Sequence, residues 1–256
     1  PLTLEDGRYV MDFDDLTAKI SRNTKMLLLC NPHNPVGRVW KRHELEQLGR
    51  ICVANDILLI ADEIHDDIIY SGHHHYPIAN LGEELANNTI TLSSPGKTFN
   101  LQGMQMGYAI IPEPSIKKVF SDQLARNWVH LYNPLTIEAT RAAYQEGEEW
   151  LNDLLAYLEQ NRDHLVDYIH KNIPGIDVIV PDGTYICWLD CRALSLSQVE
   201  LRDLMTNKAK VGLNDGMSFG TGGEGFQRLN FACPGSTLEE GLQRISDAVK
   251  GLSQQK

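Results

Sequence analysis

The sequence predicts an α/β protein, a mostly parallel sheet with interleaved helices, followed by a smaller α+β domain. Three observations carry this. Through the first half, short continuous apolar runs alternate with amphipathic segments, which is the pattern of strands and crossover helices. From Asn133 onward the texture changes to a long helical stretch and then to mixed strands and helices. Three of the apolar runs also end in amide, carboxylate and amine side chains, and ligands of open α/β sheets gather beyond the carboxyl ends of strands.

Taken in order, residues 26–31 read as a buried strand, 41–55 as a helix, 57–63 as a second buried strand, and 89–93 and 107–112 as two more. Their continuous hydrophobicity predicts strands covered on both faces. A single helical pattern runs over 135–170, with Trp150, Leu154, Leu158, Leu165 and Ile169 at steps that keep one apolar face. Asn172-Ile-Pro-Gly175 stops it, because Pro and Gly continue helices poorly. Strands over 177–181, 184–191 and 226–233 and helices over 198–207 and 237–251 complete the chain. The boundary is expected near residue 150, with residues 1–150 as a partial large domain and 151–256 as the small domain.

Composition narrows the function classes. The 256 residues hold 23 Lys and Arg against 34 Asp and Glu, a formal charge of −11, and are 42% hydrophobic and 22% charged. This excludes a disordered or fibrous chain. No apolar run approaches the ~18 residues a membrane span requires. An acidic chain without a basic block argues against nucleic acid and anionic membranes as partners. Five cysteines without a C-x-x-C pair fit a reducing, cytoplasmic setting better than a disulfide scaffold. The chain opens on Pro1, with neither an initiator Met nor a signal-peptide pattern, and is expected to be part of a longer protein.

The polar strand ends carry the chemistry. Residues 26–30 run into Asn31-Pro-His-Asn34-Pro-Val-Gly37, 57–61 into Asp62-Glu-Ile-His65, and 89–92 into Ser93-Ser94-Pro-Gly-Lys97-Thr-Phe-Asn100. Taken singly, Asn34 is a turn residue, Asp62 a helix cap and Lys97 a solvated charge. Together they allow an amide, a carboxylate and an amine to serve one ligand.

These three motifs, with Phe226-Gln-Arg228-Leu-Asn-Phe-Ala232, resemble in order and spacing the pyridoxal-phosphate (PLP) enzymes of aspartate aminotransferase fold, fold type I. Within them the chain is similar to the cystathionine β-lyase-like carbon–sulfur lyases of aminotransferase class I/II. The resemblance implies pyridoxal 5'-phosphate as cofactor, with Lys97 as the amine that carries it and, once freed, takes the substrate Cα proton. It implies that Asp62 pairs with the pyridine nitrogen, Asn34 with the phenolic oxygen and Ser94 with the phosphate. His65 joins the cofactor-binding set and marks the lyase branch, where aminotransferases more often carry Tyr. Arg228, with Asn34, would hold the α-carboxylate of an amino-acid substrate. The implied reaction is β-elimination of cystathionine or a cysteine conjugate to pyruvate, ammonia and a thiol, in a homodimer. An aminotransferase is the alternative, and a non-catalytic fragment or regulatory binding protein is the alternative of another class.

Two departures accompany the resemblance. Gln105 stands eight residues after Lys97, where the wider family usually has a phosphate-binding arginine. The ring-stacking aromatic and the phosphate-gripping loop belong upstream of Pro1, so the chain alone is expected to bind cofactor weakly. Other motifs match by spelling alone. Gly216-Met-Ser218-Phe-Gly220 resembles a nucleophile elbow but has no later His, and Gly220-Thr-Gly222-Gly-Glu-Gly225 precedes a strand where a dinucleotide fingerprint needs a helix. His73, His74 and His75 read as a surface loop, not a metal site, and Cys187 and Cys191 as buried thiols.

Overall fold

A computed structural model describes residues 1–129 and 133–253. In chain order, Thr3–Glu5 (β1) and Arg8–Val10 (β2) are followed by Phe13–Lys19 (α1), Met26–Cys30 (β3), Arg42–Ala54 (α2), Leu58–Asp62 (β4), Glu83–Asn87 (α3), Thr89–Ser93 (β5) and Pro95–Thr98 (α4). Tyr108–Ile110 (β6), Pro114–Arg126 (α5), Pro134–Glu146 (α6) and Glu148–Asn172 (α7) come next. Asp177–Ile179 (β7), Ile186–Asp190 (β8), Gln198–Asp203 (α8), Asn214–Asp215 (β9), Phe226–Asn230 (β10) and Gly235–Ser253 (α9) close the series. The chain divides into two compact units, one of Pro1–Val10, Asn34–Arg38 and Leu154–Lys256, the other of Met11–His33 and Val39–Asp153.

The Met11–Asp153 unit is built on a four-stranded sheet of order β3-β4-β5-β6. β3, β4 and β5 are parallel and β6 is antiparallel to β5, so the mostly parallel sheet is present. Leu29, Leu59 and Ala61 are buried, and α2 packs on β4 with Leu45, Leu48 and Cys52 buried beneath it. The expectation that both faces of these strands are covered fails at β3. It is the edge strand, and its alternate residues Met26 and Leu28 are 59% and 79% exposed. A strand can therefore be apolar on both sides and still be packed on only one among the described residues.

The single helix expected over 135–170 is two helices. Asn133 caps α6, accepting from the Leu135 N–H at 3.0 Å, and α6 ends at Gly147, whose N–H bonds the Ala143 carbonyl at 2.9 Å. A Cβ at Gly147 would lie 2.4 Å from that carbonyl oxygen and 2.6 Å from the Phe99 ring, so the close approach requires glycine. Apolar periodicity continues across the break because α7 resumes one residue later.

The other unit carries the antiparallel sheet β7-β8-β10-β9. Trp188 of β8 and Phe226 of β10 stack with ring centroids 5.2 Å apart, and Val36 and Ile179 join them in one buried cluster. Leu2, Leu4 and Tyr9 of the β1-β2 hairpin pack against that cluster, and the Tyr9 hydroxyl accepts from the Trp188 indole N–H at 3.3 Å. Leu158, Leu165 and Ile169 of α7 and Leu238, Leu242, Ile245 and Val249 of α9 are also buried in this unit. Asn161 of α7 donates to the carbonyls of Phe231 and Cys233 at 3.1 and 2.9 Å, fixing the chain that leaves β10. The helix expected over 198–207 is α-helical only in α8 and continues as a wider π-type turn over Leu204–Lys208.

Candidate active site

In the Met11–Asp153 unit the predicted residues gather at the carboxyl ends of adjacent parallel strands. Asp62 ends β4, and β5 runs directly into Ser94 and the one-turn helix holding Lys97. One Asp62 oxygen accepts the Ile64 N–H at 3.2 Å, and the carboxylate is exposed. The Lys97 side chain is half-buried and makes no hydrogen bond or ion pair with any described residue. Ser94 is buried and committed: its hydroxyl accepts from the Gly96 N–H at 2.9 Å and donates to the Met106 carbonyl. Thr98, next to Lys97, donates to Asp67 at 2.9 Å and ties α4 to the loop that follows β4.

That loop contains an acidic cluster, Glu63, Asp66 and Asp67, whose burial the sequence did not signal. His65 is buried. Glu63 is also buried, accepting from the Ile78 N–H at 3.1 Å and pairing with His75 at 3.2 Å. Burial, reinforced by the neighbouring Asp67 and Glu63 and opposed by His75, pushes the Asp66 carboxyl up to about 6. The surface-loop reading thus holds for His73 and His74, while the His75 side chain turns inward onto Glu63. Among the described residues no group of three His, Cys, Asp or Glu is placed to hold a metal ion.

Asn34 and Arg228 belong to the other unit and meet there. The Arg228 guanidinium donates from Nη1 to Asn34 Oδ1 at 2.9 Å. Asn34 is held by its own loop. The Gly37 carbonyl accepts from Asp182 and Gly183 at 2.8 and 3.2 Å, and Gly37 lies at φ +70° with its Cα side against Pro181. A Cβ there would approach the Pro181 Cβ to 2.3 Å. Asp182 is in turn clamped by Arg8 at 2.6 Å.

Two residues beside Arg228 were missed. Asn214 is its cross-strand partner in the β10-β9 pair and accepts from Nε at 3.2 Å and Nη2 at 2.8 Å. The Phe219 ring lies 4.9 Å under the guanidinium carbon. Burial pulls the Arg228 pKa down from its ordinary value, and no acidic side chain pairs with it among the described residues. Of its five N–H donors, three are held by Asn34 and Asn214. One N–H on each of Nη1 and Nη2 is left over, a pair that suits a bidentate carboxylate.

The decoy motifs are structural. Ser218 donates to the Asp215 carbonyl at 2.6 Å in a short turn, and Cys187 and Cys191 are buried, with burial pushing both thiols up, Cys191 to about 12. No helix among the described residues is long and apolar enough to cross a membrane.

Comparison with known proteins places these features in context. The family model of aminotransferase class I and II matches residues 4–245. The chain is 40% identical over 250 residues to the cystathionine β-lyase PatB of Bacillus subtilis (strain 168), covering 97% of this chain and 65% of that protein. Among solved structures it is similar to cystalysin of Treponema denticola, which contains a pyridoxal 5'-phosphate cofactor, with a TM-score of 0.94, 37% identity, and coverage of 98% of this chain and 64% of that one. It is also similar to a PLP-bound protein of Clostridium difficile 630, provisionally named an aminotransferase, with a TM-score of 0.95, 46% identity, and coverage of 97% and 64%. The chain therefore spans about 65% of the length of the relatives it matches.

Proposed function

The chain belongs to the aminotransferase class I and II family, and from that premise we propose that it serves a PLP-dependent carbon–sulfur β-lyase acting on cystathionine or a related cysteine conjugate. The observation that carries this reading is the Lys97 amine. It is half-buried just beyond β5, has no partner among the described residues, and sits one strand over from the Asp62 carboxylate.

The residues present fit the cofactor. Among the described residues Asp62 has one carboxylate oxygen without a hydrogen bond and can hold a pyridine N–H, and the amine of Lys97 can carry the aldehyde carbon. Ser94 reaches a phosphate only by redirecting the proton it gives to Met106. His65 and Asn34 complete the proposed cofactor set. When bound, pyridoxal phosphate supplies an electron sink for negative charge at the substrate Cα.

The chain's own residues do the remainder. Arg228 and Asn34 bind the α-carboxylate and thereby orient the Cα–H bond. Lys97, once free, takes the Cα proton as general base. The Cβ–S bond then breaks with its electron pair leaving on sulfur, and hydrolysis yields pyruvate, ammonia and a thiol. The lyase reading is supported by His65 three residues after Asp62 and by the similarity to PatB. The second reading, an aminotransferase, is favoured by the likeness to the Clostridium protein. A cytoplasmic homodimer goes with either reading, supported by the family resemblance and, for the compartment, by five free cysteines.

The test is product formation by the holoenzyme given cystathionine without any keto acid. Pyruvate, ammonia and thiol in equal amounts are expected. Product that forms only when a keto acid is added would replace the lyase reading with the aminotransferase one.

A further inference from the structure

We propose that Asn214 is a positioning residue for substrate binding, holding the Arg228 guanidinium so that its two remaining N–H groups stay paired for a carboxylate, with Phe219 as the floor that keeps the guanidinium plane in place. The inference rests on the reading of Arg228 as the carboxylate-binding residue.

Arg228 and Asn214 are directly opposed across antiparallel strands, so their side chains share a face of the sheet. A single oxygen, Asn214 Oδ1, takes both the Nε and the Nη2 hydrogen, at 3.2 and 2.8 Å. This occupies one whole edge of the planar fork. Asn34 Oδ1 takes one Nη1 hydrogen at 2.9 Å. The guanidinium has no acidic partner among the described residues, so its orientation before substrate arrives depends on two neutral amides and one aromatic face. A neutral acceptor suits this task. It fixes rotation about the last bonds of a long side chain without neutralising the charge that the substrate must meet, and so removes ordering cost from the binding step. An Asp at 214 would give equal geometry and cancel the attraction. Phe219 adds a second constraint from below, 4.9 Å from the guanidinium carbon, and is itself wedged edge-on against Trp188 at 5.4 Å.

The experiment compares two ligands on the holoenzyme, alanine and ethylamine, which share an amine and differ in the carboxylate, by spectroscopic titration of the bound cofactor. Asn214 is exposed, so its truncation leaves the fold intact, and an unchanged thermal midpoint verifies this. Asn214→Ala is expected to weaken alanine about tenfold, the loss of one charge-assisted hydrogen-bond pair's orientation, and to leave ethylamine within about twofold. Phe219→Leu is expected to weaken alanine about threefold by the same comparison. In an Arg228→Lys background, Asn214→Ala should add nothing further, because the group it positions is gone.

Equal weakening of alanine and ethylamine, or full additivity with Arg228→Lys, would overturn the positioning role. If Arg228→Lys collapses the preference for alanine and Asn214→Ala does not, the role of Asn214 alone fails. If Arg228→Lys itself leaves the preference intact, the carboxylate reading fails and the role of Asn214 falls with it.

Discussion

The two units present their functional side chains in opposite ways. In the parallel-sheet unit, Lys97 and Asp62 stand at strand ends with open valences: the amine has no partner and the carboxylate has one hydrogen bond, among the described residues. In the antiparallel unit, Arg228 lies in mid-strand with three of its five donors already held and an aromatic ring beneath it. The difference follows from the tasks proposed for them. A group that makes and breaks bonds and passes protons is left free to move, whereas a group that receives the same anion at every turnover gains from being pre-oriented. Trp188 and Phe226 stack beside Arg228 with ring centroids 5.2 Å apart, and Trp188 is the cross-strand partner of Arg228.

Substitutions can break this comparison at either end. The largest effect is expected at Lys97. Lys97→Ala removes the covalent anchor and the base together, and kcat should fall by at least about 10⁴-fold, measured as pyruvate release with saturating cofactor. Arg228→Ala removes two charge-assisted bonds and should lower kcat/KM about 100-fold, chiefly through KM, because the ground state and the transition state share that contact.

Gly37→Ala tests whether the loop carrying Asn34 is bolted in place. The methyl group meets Pro181 in a backbone region that alanine disfavours, and a loss of about 2 kcal/mol is expected in chemical denaturation. The smallest effect is at Asp66. Its carboxyl pKa is raised from 3.8 to about 6, so the folded chain holds a proton that the unfolded chain has lost, and stability falls as pH rises through that window. The cost is fully present above pH 6. Asp66→Asn should remove this slope and stabilise the protein at pH 7–8 by on the order of 1 kcal/mol, read from thermal midpoints across pH.

Much of the fold was legible because its signals are local. The apolar run 89–93 coincides with β5, and Asn172-Ile-Pro-Gly175 ends α7, with Gly175 at φ +89°. Other signals were present and went unread. Asp6-Gly7 between two short runs is a hairpin turn, and both residues adopt positive φ, 46° and 75°. Glu113 before Pro114 is a helix start, and it caps α5 by accepting from Ser115 at 3.1 Å.

The break at Gly147 could not be read from periodicity, because the helix resumes one residue later, and the Phe99 ring that crowds Gly147 comes from another element. The proposed functional residues divide in the same way. Asp62, Lys97 and Asn34 follow apolar runs in sequence and were found there, whereas Asn214 and Phe219 reach Arg228 only through strand pairing and a turn that brings in residues 14 and 9 positions away. Asn214 in isolation is an ordinary turn-forming residue.

The most direct measurement is reduction of the cofactor-loaded protein with borohydride, followed by peptide mapping. Reduction fixes the cofactor permanently to the amine that carries it. One pyridoxyl group is expected on the peptide containing Lys97, and none on that peptide after Lys97→Ala. A label on another lysine, or no label on the loaded protein, would contradict the assignment of the parallel-sheet unit to the cofactor.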